Sequence, residues 1–208
     1  MAQSGIGRIS LFEDFFAEDP VSNTATDRAL GNFTVAGQGS EDTDSGIPLL
    51  QADAISGVGV MTTTNEDNHT ILVGTPIAFD VGLMGTIVAE TRVRFVDLDT
   101  KEVFFGFTDI DPSTLSLEVD VLTGATDSTA IECNDDAVVG EWQVLRLELF
   151  PNGTVSWLLD GVLIRTVAGA VSTSVDLSLI LALEAKGDNI EIMHVDYLSV
   201  EANRDWTV

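Results

Sequence analysis

The sequence contains few residues of the types that hold transition metals or act as nucleophiles: one cysteine, Cys133, and two histidines, His69 and His194. One cysteine cannot form an intrachain disulfide, so no oxidising compartment is implied. Without a Cys-x-x-Cys motif, a transition-metal site lacks its usual nitrogen and sulfur ligands. Carboxylates around Cys133 disfavour its thiolate, and two histidines leave nucleophilic catalysis few candidate bases.

Basic residues are also scarce, since nine Lys and Arg oppose 34 Asp and Glu, and the formal net charge is −25. Phosphate binding requires clustered Lys and Arg, so we expect neither nucleic acid nor an anionic membrane surface as a partner. Only Lys101 and Lys186 are lysines. An acidic, lysine-poor surface suits high salt, where self-repulsion is screened, and it equally suits simple solubility. Both explanations stay open.

Long apolar runs and helical periodicity are missing. No run approaches the ~20 apolar residues of a membrane-spanning helix. The opening MAQSGIGRIS lacks the basic and apolar regions of a signal peptide, so we expect synthesis in a cytosol without a signal peptide. A length of 208 residues with 45% apolar content fits a single domain over residues 1–208.

The stretch Glu141–Val167 spells out three strands and both of their turns. Leucine and valine alternate with polar residues, and Asn152-Gly153 and Asp160-Gly161 interrupt the alternation. These dipeptides tolerate the positive φ that tight hairpin turns require. The stretch therefore predicts an antiparallel meander.

The remaining chain reads as short strands between turn residues, which predicts an all-β, two-sheet antiparallel β-sandwich. Glu18–Ser45 is polar and turn-rich, so we expect long loops there around one short strand. In Ile190–Val200 the alternation loses its phase near Met193, which predicts a bulge. The predicted strands outside the meander are Ile9–Phe16, Phe33–Ala36, Ile47–Gln51, Gly57–Thr63, Thr70–Val73, Ile87–Val96, Val103–Thr108, Leu115–Val121, Ala130–Glu132, Leu177–Glu184 and Ile190–Val200.

Two of these strands show how their faces are used. In Ile87–Val96 the apolar residues point one way, and Glu90, Arg92 and Arg94 point the other way. Leu177–Glu184 carries apolar residues on both faces. The second pattern predicts a central strand covered on both sides, or a strand at a subunit contact.

The meander also resembles a known fold. A tryptophan that opens a strand, followed by a turn and a second strand of the form G-x-V-x-W-x-x-D-G, is similar to the concanavalin A-like (laminin G-like) jelly roll. Ile9–Phe16 and Ile190–Val200 fit its first and last strands. In that fold these two strands usually lie beside each other.

The chain as a whole, from GRISLFEDFF through TNEDNHTILVGT and ETRVRF to VDYLSVEANRDW, resembles small structural proteins of tailed bacteriophages. Such proteins often decorate the capsid. The resemblance implies a non-enzymatic virion protein that is made in the host cytoplasm and lies on the capsid exterior. There it would cement the capsid by binding across subunits of the major capsid protein, as a homodimer or homotrimer.

Aromatic residues near both ends of the chain are the candidates for such an interface. The alternation breaks at Phe15-Phe16, so one of the two is expected to point outward. Trp206 follows a polar stretch and is expected to be exposed. The predicted interface residues are Phe12, Phe15, Phe16 and Trp206.

The alternative function is a lectin-like carbohydrate-binding module that attaches a particle to a host glycan. Sugar sites on this fold need an exposed aromatic side chain together with Asp or Asn from loops. The aromatic candidates are Trp142, Trp157, Trp206 and Tyr197. Trp157 belongs to an inward row and is expected in the core, whereas Trp142 opens a strand and is expected to be half-buried.

Glycoside hydrolysis is the third hypothesis, because several concanavalin A-like families cleave β-glucans with a strand bearing Glu-x-Asp-x-x-Glu. Glu118 and Asp120 lie on one strand face, but Leu122 and Thr123 stand where the third carboxylate is required. The pair alone cannot supply both acid and nucleophile at the ~5.5 Å separation of a retaining enzyme. We therefore expect no catalytic residue and no enzyme activity.

No cofactor is expected, and calcium is the metal that the acidic loops best suit, because it takes oxygen ligands. None of the acidic segments has the spacing of an EF-hand. The candidate segments are Glu41-Asp42-x-Asp44, Asp97-x-Asp99, Asp109-x-Asp111 and Asn134-Asp135-Asp136.

Overall fold

A computed structural model describes residues 7–15, 28–37, 49–50, 57–63, 65, 67, 69–109 and 137–204. Every regular element among these residues is a strand, and no helix in this part of the chain is long and apolar enough to cross a membrane. The strands are β1 (Arg8–Glu13), β2 (Arg28–Leu30), β3 (Phe33–Gly37), β4 (Leu49–Leu50), β5 (Gly59–Thr62), β6 (Thr70–Gly74), β7 (Phe79–Asp80), β8 (Ile87–Phe95), β9 (Lys101–Thr108), β10 (Trp142–Leu149), β11 (Val155–Leu159), β12 (Val162–Val167), β13 (Asp176–Ala185) and β14 (Ile192–Asn203).

These strands form two antiparallel sheets, as predicted. Sheet A has the order β12-β11-β10-β8-β14-β5-β4, and β1 also pairs with β14. Sheet B has the order β2-β3-β6-β13-β7, and β9 also pairs with β13. The meander appears as β10-β11-β12. The predicted pairing of the first and last strands is confirmed by β1 and β14.

The core lies between the sheets and follows the period-two alternation. In β8, buried and partly exposed residues alternate along the whole strand. The prediction that β13 is covered on both faces is confirmed, because Leu179 belongs to the main core, and Ile180 and Ala182 form a second buried cluster against Phe104. Because β13 pairs with β6 on one side and β9 on the other, it is the central strand of sheet B.

The predicted bulge in the last strand is present. The register between β14 and β8 shifts between Val195 and Tyr197. The extra residue, Asp196, changes which residues of β14 point outward. Before the shift the outward residue is His194, and after it the outward residue is Tyr197, with Leu198 fully buried.

The prediction that Phe15 belongs to an exposed interface is wrong, because its side chain is 2% exposed and lies in the core. Phe15 has φ 53, so the backbone turns at the end of β1 and directs the ring inward. The ring packs against Gly59, where a Cβ atom would lie 2.7 Å from a ring carbon. Phe16 and Trp206 lie outside the described residues.

Two short strands, β2 and β7, were not predicted from the sequence. Strands of three and two residues are too short to show alternation. β2 falls within Glu18–Ser45 and joins β3 through Gly31, whose φ is 59. The predicted strands Leu115–Val121 and Ala130–Glu132 lie outside the described residues.

Candidate functional site

The outer face of sheet A concentrates charged and aromatic side chains where β10, β8, β14 and β1 lie side by side. Alternation produces this face, because the intervening residues of each strand point into the core. We call this surface the outer patch. It consists of Phe12, Glu90, Arg92, Arg94, Trp142, Arg146, Glu148, His194, Asp196 and Tyr197.

Two arginines lie over the indole ring of Trp142. The guanidinium carbons of Arg92 and Arg94 are 5.0 Å and 4.9 Å from the ring centroid. Trp142 stands opposite Arg94 in the β10–β8 register, and Arg92 follows two residues away on the same face. Each contact contributes about 0.5–1 kcal/mol at a partly exposed site. The indole therefore holds both cationic groups in defined positions.

Glu90 receives two donors at the centre of the outer patch. The Tyr197 hydroxyl donates to Oε1 of Glu90 over 2.6 Å, and Arg146 donates to Oε2 over 3.2 Å. Arg146 also binds Glu148 at 2.9 Å. Burial, and then the hydrogen bond to Glu90 and its charge, raise the pKa of Tyr197. Tyr197 therefore stays a protonated donor at neutral pH.

His194 is the second neutral group of the outer patch. Nη2 of Arg94 donates to Nδ1 of His194 over 2.5 Å. Burial, and then the charge of Arg94, lower the pKa of His194. The imidazole is therefore neutral at pH 7, with Nδ1 accepting the bond and the proton on Nε2.

At the bulge of β14, two consecutive side chains, Asp196 and Tyr197, reach this face. Asp196, the additional residue, accepts a hydrogen bond from Arg92 over 2.9 Å. Tyr197 stacks on Phe12 of β1, with ring centroids 5.9 Å apart and an interplanar angle of 22°. Phe12 is 55% exposed. The two stacked rings extend the aromatic surface from β14 onto β1.

A second feature is an apolar cavity of about 320 Å³ between the two sheets. It is lined by side chains of β8 to β12, among them Phe105, Leu145 and Trp157. Trp157 packs against the core, as predicted. Ligand sites combine an apolar lining with a few convergent polar groups. The cavity has an apolar lining with few polar groups, whereas the outer patch has both aromatic and polar groups.

Several sequence-predicted residues fall in the outer patch, and others do not. The sequence gives no sign that Trp142, Tyr197 and His194 lie close together, and strand pairing in the sheet places them on one face. His69 is buried, at 1% exposure, and lies apart from them in the core. The candidate residues Glu118, Asp120, Cys133, Glu41, Asp42, Asp44, Asp111, Asn134, Asp135 and Asp136 lie outside the described residues.

The acidic pair Asp97-x-Asp99 is described, and Asp97 binds Lys101 at 2.6 Å. Lys101 also binds Glu191 at 2.6 Å. Among the described residues, no group of three or more His, Cys, Asp or Glu side chains is arranged to hold a metal ion. The sequence-based expectation stays as it was: no cofactor, with calcium as the metal that the acidic loops best suit.

Sequence reasoning did not recognise Glu90, Arg92, Arg94 and Arg146 as site residues. The signal that could have identified them is the row of charged residues on the polar face of β8. Two arginines in one such row are unusual in a chain with only nine basic residues. Its significance depends on β10 and β14, which flank β8 in the sheet but lie about 50 and 100 residues further along the chain.

No protein-family model and no curated protein matches this sequence. Solved structures show the same fold. A protein of unknown function from Shewanella oneidensis MR-1 has a TM-score of 0.65 and 12% identity, covering 98% of this chain and 90% of that one. The seed lectin of Lotus tetragonolobus has a TM-score of 0.59 and 12% identity, covering 95% and 100%. The Emp47p carbohydrate recognition domain has a TM-score of 0.57 and 10% identity, covering 94% and 95%.

These likenesses establish the fold, a lectin-like jelly roll, and confirm the fold predicted from the meander. The identities are too low to transfer a function.

Proposed function

We propose that this protein is a non-enzymatic, lectin-like carbohydrate-binding module and that its outer patch holds the glycan. The observation that carries the proposal is the sharing of one sheet face by Trp142, Tyr197 and Phe12 with the guanidinium groups of Arg92 and Arg94. Aromatic rings offer apolar faces to the C–H groups of a sugar, and arginine N–H groups donate to its oxygens.

Preorganisation supports this role. The patch lies on paired strands rather than on loops, and its arginines are already held in place, Arg92 by Asp196 and Arg146 by Glu90. Binding to side chains that are already ordered loses less conformational entropy. Sites built on rigid strands also keep their geometry better than loop sites.

The contacts of Glu90 favour binding over catalysis. A glycosidase needs a protonated carboxylic acid as well as a carboxylate. Glu90 accepts hydrogen bonds from Tyr197 on one carboxylate oxygen and from Arg146 on the other, so both oxygens are already engaged. His194 is held by Arg94, and Tyr197 keeps its proton. These groups therefore suit ligand recognition better than proton transfer.

The fold is compatible with sugar binding, since two of the similar structures are named as a seed lectin and a carbohydrate recognition domain. No contact of the outer patch specifically favours the predicted role in capsid decoration. That role, the major capsid protein as partner, the homo-oligomer and the virion location stay predictions.

A glycan array with the purified chain, followed by isothermal titration of the sugars that bind, tests the proposal. Trp142→Ala removes the ring over which two arginines are held. We expect this change to weaken binding at least ~10-fold, equivalent to about 1.4 kcal/mol.

Arg165→Ala is the matched control, because Arg165 is exposed on β12 outside the outer patch. We expect Arg165→Ala to bind as the unaltered protein does. A folded chain that binds no sugar, or a Trp142→Ala variant with unchanged affinity, would contradict the proposed function.

A further inference from the structure

The outer patch is locally balanced in charge, although the whole chain carries −25. It contains three arginines and three carboxylates. Arg92 binds Asp196 at 2.9 Å, and Arg146 binds both Glu90 and Glu148. The three carboxylates are therefore taken up by two arginines. Among the described residues, Arg94 makes no ion pair with a carboxylate.

Within the described part of the chain, the ring contact and the side-chain hydrogen bond of Arg94 are both with neutral groups. Its guanidinium lies over the indole of Trp142 and donates one hydrogen bond to His194. A guanidinium has five N–H donors in a planar fork. Arg94 is half-buried, so its charge is less screened than that of a fully exposed arginine. The patch thus holds a positioned cation whose carboxylate partner is not supplied by the described part of the chain.

We infer that the glycan bound by the outer patch carries a carboxylate, as uronic acid sugars do, and that Arg94 is the specificity residue that pairs with it. This inference rests on the proposed function. A planar guanidinium matches a carboxylate through two parallel hydrogen bonds. The indole of Trp142 lies against the same guanidinium and fixes its orientation for this pair.

The charge of the whole chain limits the class of acidic ligand further. At physiological ionic strength the Debye length is about 8 Å. A ligand carboxylate in direct contact with Arg94 is attracted by that guanidinium. Salt screens most of the repulsion between the same carboxylate and acidic groups farther away than a Debye length. A densely sulfated polymer would instead bring many sulfate groups close to the acidic surface of the protein, and each sulfate would be repelled by it. The ligand class is therefore a short or sparsely charged uronic acid oligosaccharide.

Isothermal titration with matched sugars tests this inference. The probes are tetrasaccharides of galacturonic, glucuronic and mannuronic acid, the methyl ester of each, and a densely sulfated heparin fragment. We expect at least one tetrasaccharide acid to bind ~10-fold or more tightly than its own methyl ester. Arg94→Gln should remove this difference, whereas Arg165→Gln, outside the patch, should retain it.

The ligand-side comparison uses the unaltered protein, so it stands even where Arg94→Gln fails to fold. Equal affinity for acid and ester overturns the inference, as does an acid preference that persists in folded Arg94→Gln. Tighter binding of the heparin fragment than of every tetrasaccharide also overturns it. Binding of neutral sugars without acid preference leaves the proposed function standing, whereas absence of binding to any neutral or acidic sugar contradicts the proposed function itself.

Discussion

At the scale of single residues, the two lysines of the chain occupy contrasting environments. The side chains of Lys101 and Glu191 are each 3% exposed and form a 2.6 Å ion pair. Oε1 of Glu191 accepts a further hydrogen bond from Thr100 over 2.7 Å. Lys186 binds Glu102 at 3.0 Å, with side chains 36% and 41% exposed. Solvent screens the second pair far more than the first.

Removing one partner of the buried pair should destabilise the fold strongly. Glu191→Gln leaves Lys101 buried with Asp97 as its remaining carboxylate, because Lys101 also binds Asp97. We expect a loss of about 3 kcal/mol in the free energy of unfolding, the lower end of the range for a broken buried pair. Urea denaturation of both proteins measures the difference.

Glu102→Gln is the matched control, because it breaks one exposed ion pair of Lys186 and leaves the pair with Glu184. Its expected cost is about 0–1 kcal/mol. Equal losses for the two variants would contradict the assignment of Lys101 and Glu191 as a buried, energetically important pair.

At the scale of elements, the end of β1 and the start of β5 depend on each other. The ring of Phe15 covers Gly59, and a Cβ atom at Gly59 would lie 2.7–2.9 Å from three ring carbons. The ring lies in the core and cannot move aside without disturbing its neighbours. Glycine at this position therefore allows the chain to turn inward after β1.

Gly59→Ala should overpack this contact and lower the free energy of unfolding by about 1–3 kcal/mol. Gly187→Ala is the control, because a Cβ there meets its nearest atoms at 3.7–3.8 Å. We expect the control to be nearly neutral in the same denaturation experiment. A Gly59→Ala protein as stable as the unaltered one would show that Phe15 does not pack over β5.

The bulge of β14 is the element that shapes the outer patch. An ideal strand would place His194 and Asp196 on one face and direct Tyr197 into the core. The additional residue at the bulge allows Asp196 to bind Arg92 while Tyr197 reaches Glu90. The bulge therefore adds the aromatic ring of Tyr197 to a face that already carries the acceptor Asp196.

At the scale of the whole molecule, the net charge of −25 opposes compaction. Salt screens this repulsion, because the Debye length falls from about 8 Å at physiological ionic strength to about 3 Å at 1 M. We expect the melting temperature to rise by about 4 °C or more between 0.05 M and 1 M NaCl, equivalent to roughly 1–2 kcal/mol for a chain of this size.

Calorimetry in NaCl and in KCl measures the effect and separates screening from the identity of the cation. Sulfate is avoided, because it stabilises proteins by exclusion from their surface. A melting temperature that stays constant or falls with added chloride salt would contradict destabilisation by self-repulsion.

Much of the architecture was predictable from the sequence because alternation is a local property. The β10-β11-β12 meander, the two-faced burial of β13 and the bulge in β14 each follow from residues within one stretch of chain. The position of Phe15 was not predictable in this way. It depends on a positive φ and on a glycine in β5, more than 40 residues away along the chain.

Fold class and net charge follow from the amino-acid sequence alone, because strand periodicity and turn dipeptides are local patterns and charge is a matter of composition. That Glu90, Arg94, Trp142 and Tyr197 form one surface follows only from the way the strands pair in the folded sheet. Their strands are neighbours only through antiparallel pairing, and that pairing sets which side chains meet across strands distant in sequence. Strand register controls this surface, because a shift of one residue moves every side chain of a strand to the opposite face of the sheet.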